Sequence, residues 1–258
     1  MRRRPLLMIS LAAWLSARAQ ADAGTSPTAQ AVRFPDGFGS HPDSRIEWWY
    51  VTGALSDEVR RWGFQVTFFR ASTGLAADTS SRFAARELIF AHAAVTDLQA
   101  RRLRHDQRIL RSGFGIAEAA PGETRLRLRD WSLARTGPTG ESRYRTDVRS
   151  AADGFALALD MQAHAPPLLQ GERGLSRKGP GGRAFSRYYS EPQLEVSGTL
   201  RLGEQAFAVR GRAWLDHEWS DAYLDPDAVG WDWIGMNLDD GSALMAFRIR
   251  RRDGGVHF

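Results

Sequence analysis

Cysteine is absent from this 258-residue chain. Disulfides, thiolate nucleophiles and thiolate metal centres are therefore excluded, and an exported chain of this kind is stable through its core alone. Long apolar runs are also missing beyond residue 15. No later stretch approaches the roughly 18 apolar residues of a membrane-spanning helix, so the body of the chain is not read as a helical membrane protein. The metalloprotease spacing H-E-x-x-H and the hydrolase elbow G-x-S-x-G are both lacking. Ser190 or Ser220 would thus be arbitrary choices of nucleophile. Finally, excess charge is scarce where it counts. The chain carries 35 basic and 30 acidic residues and a pI near 10.2, but four of the arginines precede Ala21. Cleavage after Ala21 leaves a nearly neutral protein, which gives a nucleic-acid partner little support.

Those early residues have a character of their own. Arg2, Arg3 and Arg4 form a basic start, Leu6 to Leu15 is an apolar run, and small residues follow at Ala17, Ala19, Ala21 and Ala23. This is the pattern of a secretory signal peptide over 1–23, and it implies a periplasmic or secreted protein. The paired arginine also permits the twin-arginine route. An uncleaved membrane anchor is the alternative. Residues 24–33 read as a flexible leader, and Phe34 to Ser44, rich in Pro, Gly and Asp, as turns.

From Ile46 onward the signals are those of strands. Ile46–Leu55 and Trp62–Arg70 read as a hairpin across a Ser-Asp-Glu turn. Glu87–Leu98 is ambiguous but alternates, and Thr124–Leu133 and Phe155–Met161 alternate clearly. Residues 170–183 read as a long mobile loop. Tyr188–Leu202 and Gln205–Trp214 form a second hairpin around Gly203. Nine tryptophans and 25 glycines suit short aromatic strands better than a helical bundle. The expectation is an all-β barrel or sandwich of antiparallel meanders. An internal echo follows: Tyr50, Leu55 and Asp57 have the spacing of Trp233, Leu238 and Asp240. It reads either as the opening hairpin of a second, related barrel or as the ordinary likeness of two hairpins.

Chemistry concentrates in Trp214-Leu215-Asp216-His217-Glu218-Trp219. On a strand Asp216 and Glu218 share one face, and His217 and Trp219 the other. Three adjacent ionisable groups are costly to bury unpaired, which places them at a cavity wall, strand end or mouth. Glu47, flanked by Trp48, Trp49 and Tyr50, is a further carboxylate whose apolar setting is expected to raise its pKa and make it a proton donor. A metal site in Asp-His-Glu is disfavoured because adjacent strand residues point apart. The plainer alternative is structural, with His217 and its carboxylates paired to arginines at the rim and the tryptophans in the core. His92 reads as an interior histidine or a ligand contact, His41 tells little, and Tyr188 or Tyr189 either donates inward or packs.

The segments FPDGFGSHPDSRIEWWYVTGAL, AHAAVTDL, Tyr188-Tyr189-Ser190, AWLDHEWS and GWDWIGMNLDDGSALMAFRIR together resemble the AttH / hydroxyneurosporene synthase family, which includes the carotenoid 1,2-hydratases. The resemblance runs from about Phe34 to the end. It implies a lipocalin-like barrel over 34–221 and the start of a second, incomplete one over 222–258. It also implies export and, for many members, companionship with an ABC-type permease. The export signal, alternating strands and clustered Trp and Tyr point to a barrel enclosing a hydrophobic ligand such as a lipid or isoprenoid, with Trp48, Trp49, Tyr50, His92, Tyr188, Tyr189, Trp231 and Trp233 as its contacts. For the hydratases the resemblance implies cofactor-free, metal-free addition of water to a C=C bond. His217 and Trp219 match the family's His-x-Trp element, with Asp216, Glu218 or Glu47 as the nearby carboxylate. The hydratases' Tyr-x-Asp on the next strand has no acidic counterpart in Leu244-Met245-Ala246-Phe247-Arg248-Ile249.

Overall fold

The computed structural model of the chain describes residues 32–74, 80–81, 83–180, 184–222 and 224–258; the expected export signal over 1–23 lies outside them. The described chain is nearly all β, with no α-helix. A first meander comprises β1 (Ile46–Ser56), β2 (Arg61–Ser72), β3 (Glu87–Asp97) and β4 (Arg102–Arg111). A second comprises β5 (Ala117–Ala119), β6 (Arg125–Leu128), β7 (Trp131–Thr136), β8 (Arg143–Ser150) and β9 (Phe155–Gln162). Two short strands, β10 (Leu168–Leu169) and β11 (Leu175–Arg177), lie along β12 (Phe185–Leu202), which turns at Gly203 into β13 (Gln205–Ala222). β13 then inserts beside β1, and the order β4-β3-β2-β1-β13-β12-β9-β8-β7-β6-β5 curls into a nearly closed antiparallel, lipocalin-like barrel. A hairpin of β14 (Ala228–Asn237) and β15 (Ala243–Arg251) makes a separate small sheet.

The barrel follows from alternation. Along β1, Glu47, Trp49 and Val51 are fully buried inside while Trp48 and Tyr50 face outward. The inward apolar residues of β1, β2, β3, β7, β8, β9, β12 and β13 join one cluster that includes Trp49, Trp62, Phe68, Trp131, Tyr144 and Leu215. Each such side chain contributes roughly 1.5–3 kcal/mol on burial, which is how a chain without disulfides holds together. The gap between the end strands is bridged by side chains. Arg108 of β4 pairs with Asp130 in the β6–β7 turn. Arg104 Nη1 donates to the Asp153 carbonyl at 2.7 Å, and the His105 N–H to Asp153 Oδ2 at 2.6 Å. Charge and capped amides protect the open edge from pairing with another chain.

Two expectations need correction. Thr124–Leu133 is not one strand: Arg129 takes φ 59° and, with Asp130, turns the chain between β6 and β7. Local alternation survives such a two-residue turn, so the pattern alone cannot reveal it. The 170–180 part of the 170–183 segment is also less loop-like than its glycines suggest, and 181–183 lie outside the described residues. β11 pairs with β12, and Gly171 (φ 63°) and Gly174 (φ 89°) make the turn before it. At Gly174 a Cβ would lie 2.5 Å from Val32 Cγ2, so the glycine marks a close approach.

The β1–β13 seam carries the site, and its tightness is testable. A Cβ on Gly211 would sit 1.9 Å from the Ala54 carbonyl oxygen across that seam. Gly211→Ala is expected to cost about 2 kcal/mol, read as a lower urea midpoint with unchanged slope. A wild-type midpoint would show that the strands are not held this closely.

Candidate functional site

β1 and β13 bring the two expected clusters together in register. Trp48 lies opposite Glu218, Trp49 opposite His217, and Tyr50 opposite Asp216. On the next strand Tyr188 is opposite Glu218, Tyr189 opposite His217 and Ser190 opposite Asp216. Because side chains alternate, the sheet divides these residues into two sites on opposite faces. The residues expected to bind one ligand are therefore split, with Trp48, Tyr50 and Tyr188 on one face and Trp49 and Tyr189 on the other.

The inner face carries a buried polar hub. Glu47 Oε1 accepts from His217 Nε2 at 2.8 Å and from His41 Nδ1 at 2.7 Å. Its Oε2 accepts from Arg70 Nε and from the His41 backbone N–H, both at 2.9 Å. Arg70 is itself buried and spends its other donors on the carbonyls of His41 and Ser44 and on Glu87. Burial pushes the Glu47 carboxyl up, but the hydrogen bonds and charges of His217 and His41 outweigh it and hold the pKa at about 2. Glu47 is thus a permanent anion near neutrality. The expectation that it is a proton donor with a raised pKa is overturned, because an apolar neighbourhood counts for less than two imidazoles and a guanidinium in direct contact.

His217 is the complementary case. Burial pulls its pKa down to about 4 against the pull of Glu47, so the ring is neutral and has one N–H. Glu47 Oε1 lies against Nε2, and Nδ1 lies 3.1 Å from the Tyr189 hydroxyl. Trp49 stacks on the imidazole at 4.3 Å, and Trp219 stacks on His41 at 3.7 Å and 4°. The three ligand-capable atoms of His41, Glu47 and His217 lie within 4.8 Å of one another. They are joined by protons through one carboxylate oxygen, and Arg70 occupies the other oxygen. A cation would have to displace this complete set of hydrogen bonds and tolerate a guanidinium beside it. Deeper inside, Tyr144 donates to Glu191, whose pKa burial raises.

The outer face is different. There Asp216 Oδ1 accepts from Ser190 Oγ at 2.5 Å and Trp214 Nε1 at 2.7 Å, and Gln170 Nε2 donates to Ser190 Oγ at 2.8 Å. No cation contacts Asp216 among these partners, and burial pushes its pKa up to about 7. Beside it Glu218 accepts from Ser186 and pairs with Lys178 at 2.7 Å. Lys178 is the single lysine in the chain, and its ammonium sits over the Phe247 ring at 4.3 Å. The hairpin β14–β15 covers these acids. Trp233 Nε1 meets the Tyr188 hydroxyl at 3.1 Å, and the indole packs edge-on against Tyr50 and Trp214. Gln193, at the β12 bulge with φ 56°, pins the hairpin through its N–H to Asn237 Oδ1 and its amide to the carbonyls of Leu238 and Ser242. Between barrel and hairpin lies a cleft of about 30 Å³ walled by Trp48, Tyr188, Trp231, Trp233 and Phe247. That is room for about two waters.

Of the expected ligand contacts, Trp48, Tyr188, Trp231 and Trp233 wall this cleft and Tyr50 backs it through Trp233. Trp49 and Tyr189 lie inside the barrel with His217 and Trp219. His92 faces outward from β3 beside Phe69 and Phe90, away from the cleft walls, and half-burial lowers its pKa. Sequence reasoning missed Arg70, which is the cross-strand partner of Glu47 and follows once the β1–β2 hairpin is put in register. It also missed His41 and Lys178, each brought in by a loop or short strand with no periodic signal.

The fold and these clusters define a lipocalin-like β-barrel protein with a buried imidazole–carboxylate hub and an aromatic, acid-bearing outer cleft. The model of the AttH-like family matches residues 25–258, and the chain belongs to that family. The crystal structure of an AttH protein from Nitrosomonas europaea is 46% identical, with a TM-score of 0.80 over 90% of this chain and 68% of that one. Kievitone hydratase from Nectria haematococca shares the fold at 11% identity, TM-score 0.54, again over 90% and 68%. No curated protein matches.

Proposed function

We propose that the chain binds an apolar, unsaturated ligand in the outer cleft, between the barrel wall and the β14–β15 hairpin, rather than inside the barrel. One observation carries this reading. Asp216, whose carboxyl burial pushes up to about 7, lies on the outer face beside a cleft lined by Trp48, Tyr188, Trp231, Trp233 and Phe247 together with the Lys178–Glu218 pair. The barrel interior is filled by its own side chains. Admission of anything larger than water requires the hairpin to lift on its Gln193 anchor. Titration with oleic acid and with an acyclic polyene, followed by tryptophan fluorescence, tests it. Binding is expected, and Trp233→Ala is expected to weaken it at least about tenfold. Fluorescence indifferent to both probes, or unaltered binding by the variant, overturns the proposal.

A second reading is favoured by the same acid, whose pKa of about 7 keeps a protonated fraction near neutrality. Asp216 can give its proton to one alkene carbon while water adds to the other and returns a proton to the carboxylate, which is a hydration without cofactor. The likeness to a hydratase fold supports asking the question. In this reading Asp216 is the acid, and His217 and Trp219 shape the wall behind it. Incubation with an acyclic carotene should yield a tertiary alcohol, with none formed by Asp216→Asn. Equal turnover by the variant removes Asp216 from the reaction.

A further inference from the structure

A second feature lies away from both faces of the seam, at one end of the barrel. Phe83 from the β2–β3 connection, and Phe114 and Ile116 from the β4–β5 connection, are exposed by 74%, 52% and 38%. The two phenyl rings stack at 5.6 Å and 19°, and the Arg111 guanidinium lies over Phe114 at 4.3 Å while donating to the Phe83 carbonyl at 2.8 Å. Ile109, two residues back on the same outward face of β4, is 59% exposed. Large apolar groups gathered at a loop tip in this way are unusual on a soluble surface and mark an interaction site.

The backbone holds them there. Gly113, Phe114 and Gly115 have φ of 102°, 55° and 68°, and a phenylalanine in the left-handed region is strained. Hydrogen bonds from Gly113 N to Ala117 O, Ile116 N to Gly113 O and Arg129 N to Ile116 O fix the tip in that shape. A rigid turn that forces a bulky ring into water is not explained by packing of the barrel. The charge around it points to the occupant. Arg111 and Arg127 flank the tip, with an Arg127 Nη2 atom beside Gly115, and Arg129 joins it through its backbone N–H to Ile116. Of the nearby acids, Asp130 is engaged by Arg108 and Arg149 and Glu87 by Arg70, while Glu118 pairs with Arg125 and lies opposite Arg127. Aromatic rings with arginines behind them match the boundary between acyl chains and anionic headgroups.

We infer that this end of the barrel docks on an anionic lipid surface, with Phe83, Phe114 and Ile116 entering the acyl boundary and Arg111, Arg127 and Arg129 facing the headgroups. The full chain would be sedimented with vesicles of equal parts phosphatidylcholine and phosphatidylglycerol, and with phosphatidylcholine alone. Binding to the first and not the second is expected, weakening as salt is raised. Phe83→Ser with Phe114→Asn should abolish it without lowering the melting temperature, since both rings are exposed and Asn accepts a positive φ. Arg127→Gln with Arg129→Gln should weaken it about 25-fold. Failure to bind the anionic vesicles, equal binding to both, or binding untouched by either double variant overturns the inference. So does a concentration-dependent dimer that the phenylalanine variant dissolves without lipid, for then a second copy is the occupant.

Discussion

Glu47→Gln is expected to lower stability by about 3 kcal/mol, seen as a fall in the urea midpoint at pH 7 with the slope preserved. The carboxylate is fully buried and simultaneously accepts from His217, His41, Arg70 and a backbone N–H. A glutamine keeps the shape but loses the charge and one acceptor, so Arg70 stays in the interior with only the partly exposed Glu87 as counter-ion. Removing one member of a buried pair is costly for that reason: the survivor is still desolvated. Adding Arg70→Met to Glu47→Gln should then recover part of the loss, because no uncompensated charge remains. If the double variant is instead less stable by the sum of the two single effects, the pairing energy is absent and Glu47 is an ordinary core position.

The same hub shows where sequence reasoning succeeds and where it stops. The barrel was legible because side chains in a half-buried sheet must alternate, as the sequence does over β3, β6, β7 and β9, and because β1–β2 and β12–β13 read as hairpins. The placement of His217 and Trp219 opposite Asp216 and Glu218 followed from that period alone, and the structure has it. What did not follow is which face is inside, since both faces of β13 are buried from Ala213 to Ser220. One face is covered by the barrel core and the other by the β14–β15 hairpin, and a pattern of alternating polarity cannot tell the two covers apart. The electrostatics were legible only as far as partners could be named. Glu47 looked like an acid in a greasy setting until Arg70, its cross-strand neighbour, and His41, six residues away through an irregular turn, are placed beside it. Asp216 is the reverse: among three ionisable neighbours in sequence, it is the one whose partners are uncharged donors. The role of a carboxylate is set by what the fold brings to it, and loops bring the deciding groups.

Those opposed environments give the stability a particular dependence on pH. His217 has its pKa lowered from 6.5 to about 4 by burial. Below pH 6.5 the unfolded chain takes up a proton that the folded ring refuses, so stability drains as pH falls from 6.5 towards 4. Asp216 has its pKa raised from 3.8 to about 7, again by burial. Its contribution runs the other way, fully present below pH 3.8 and lost as pH rises through 7. Over most of the window from 6.5 to 4 the two proton differences cancel. Glu47, lowered from 4.5 to about 2, then removes stability as pH falls below 4.5. Asp216→Asn fixes the neutral state at that position and uncovers His217. The variant should gain on wild type as pH rises from about 4 to 7, by up to about 4 kcal/mol. Glu191, also raised by burial, titrates in both proteins and drops out of the difference. Urea midpoints at intervals across pH 4–8 read this directly. Parallel curves for the two proteins would mean that Asp216 ionises in the folded barrel as it does in water, and with that the acid proposed for the outer cleft would be gone.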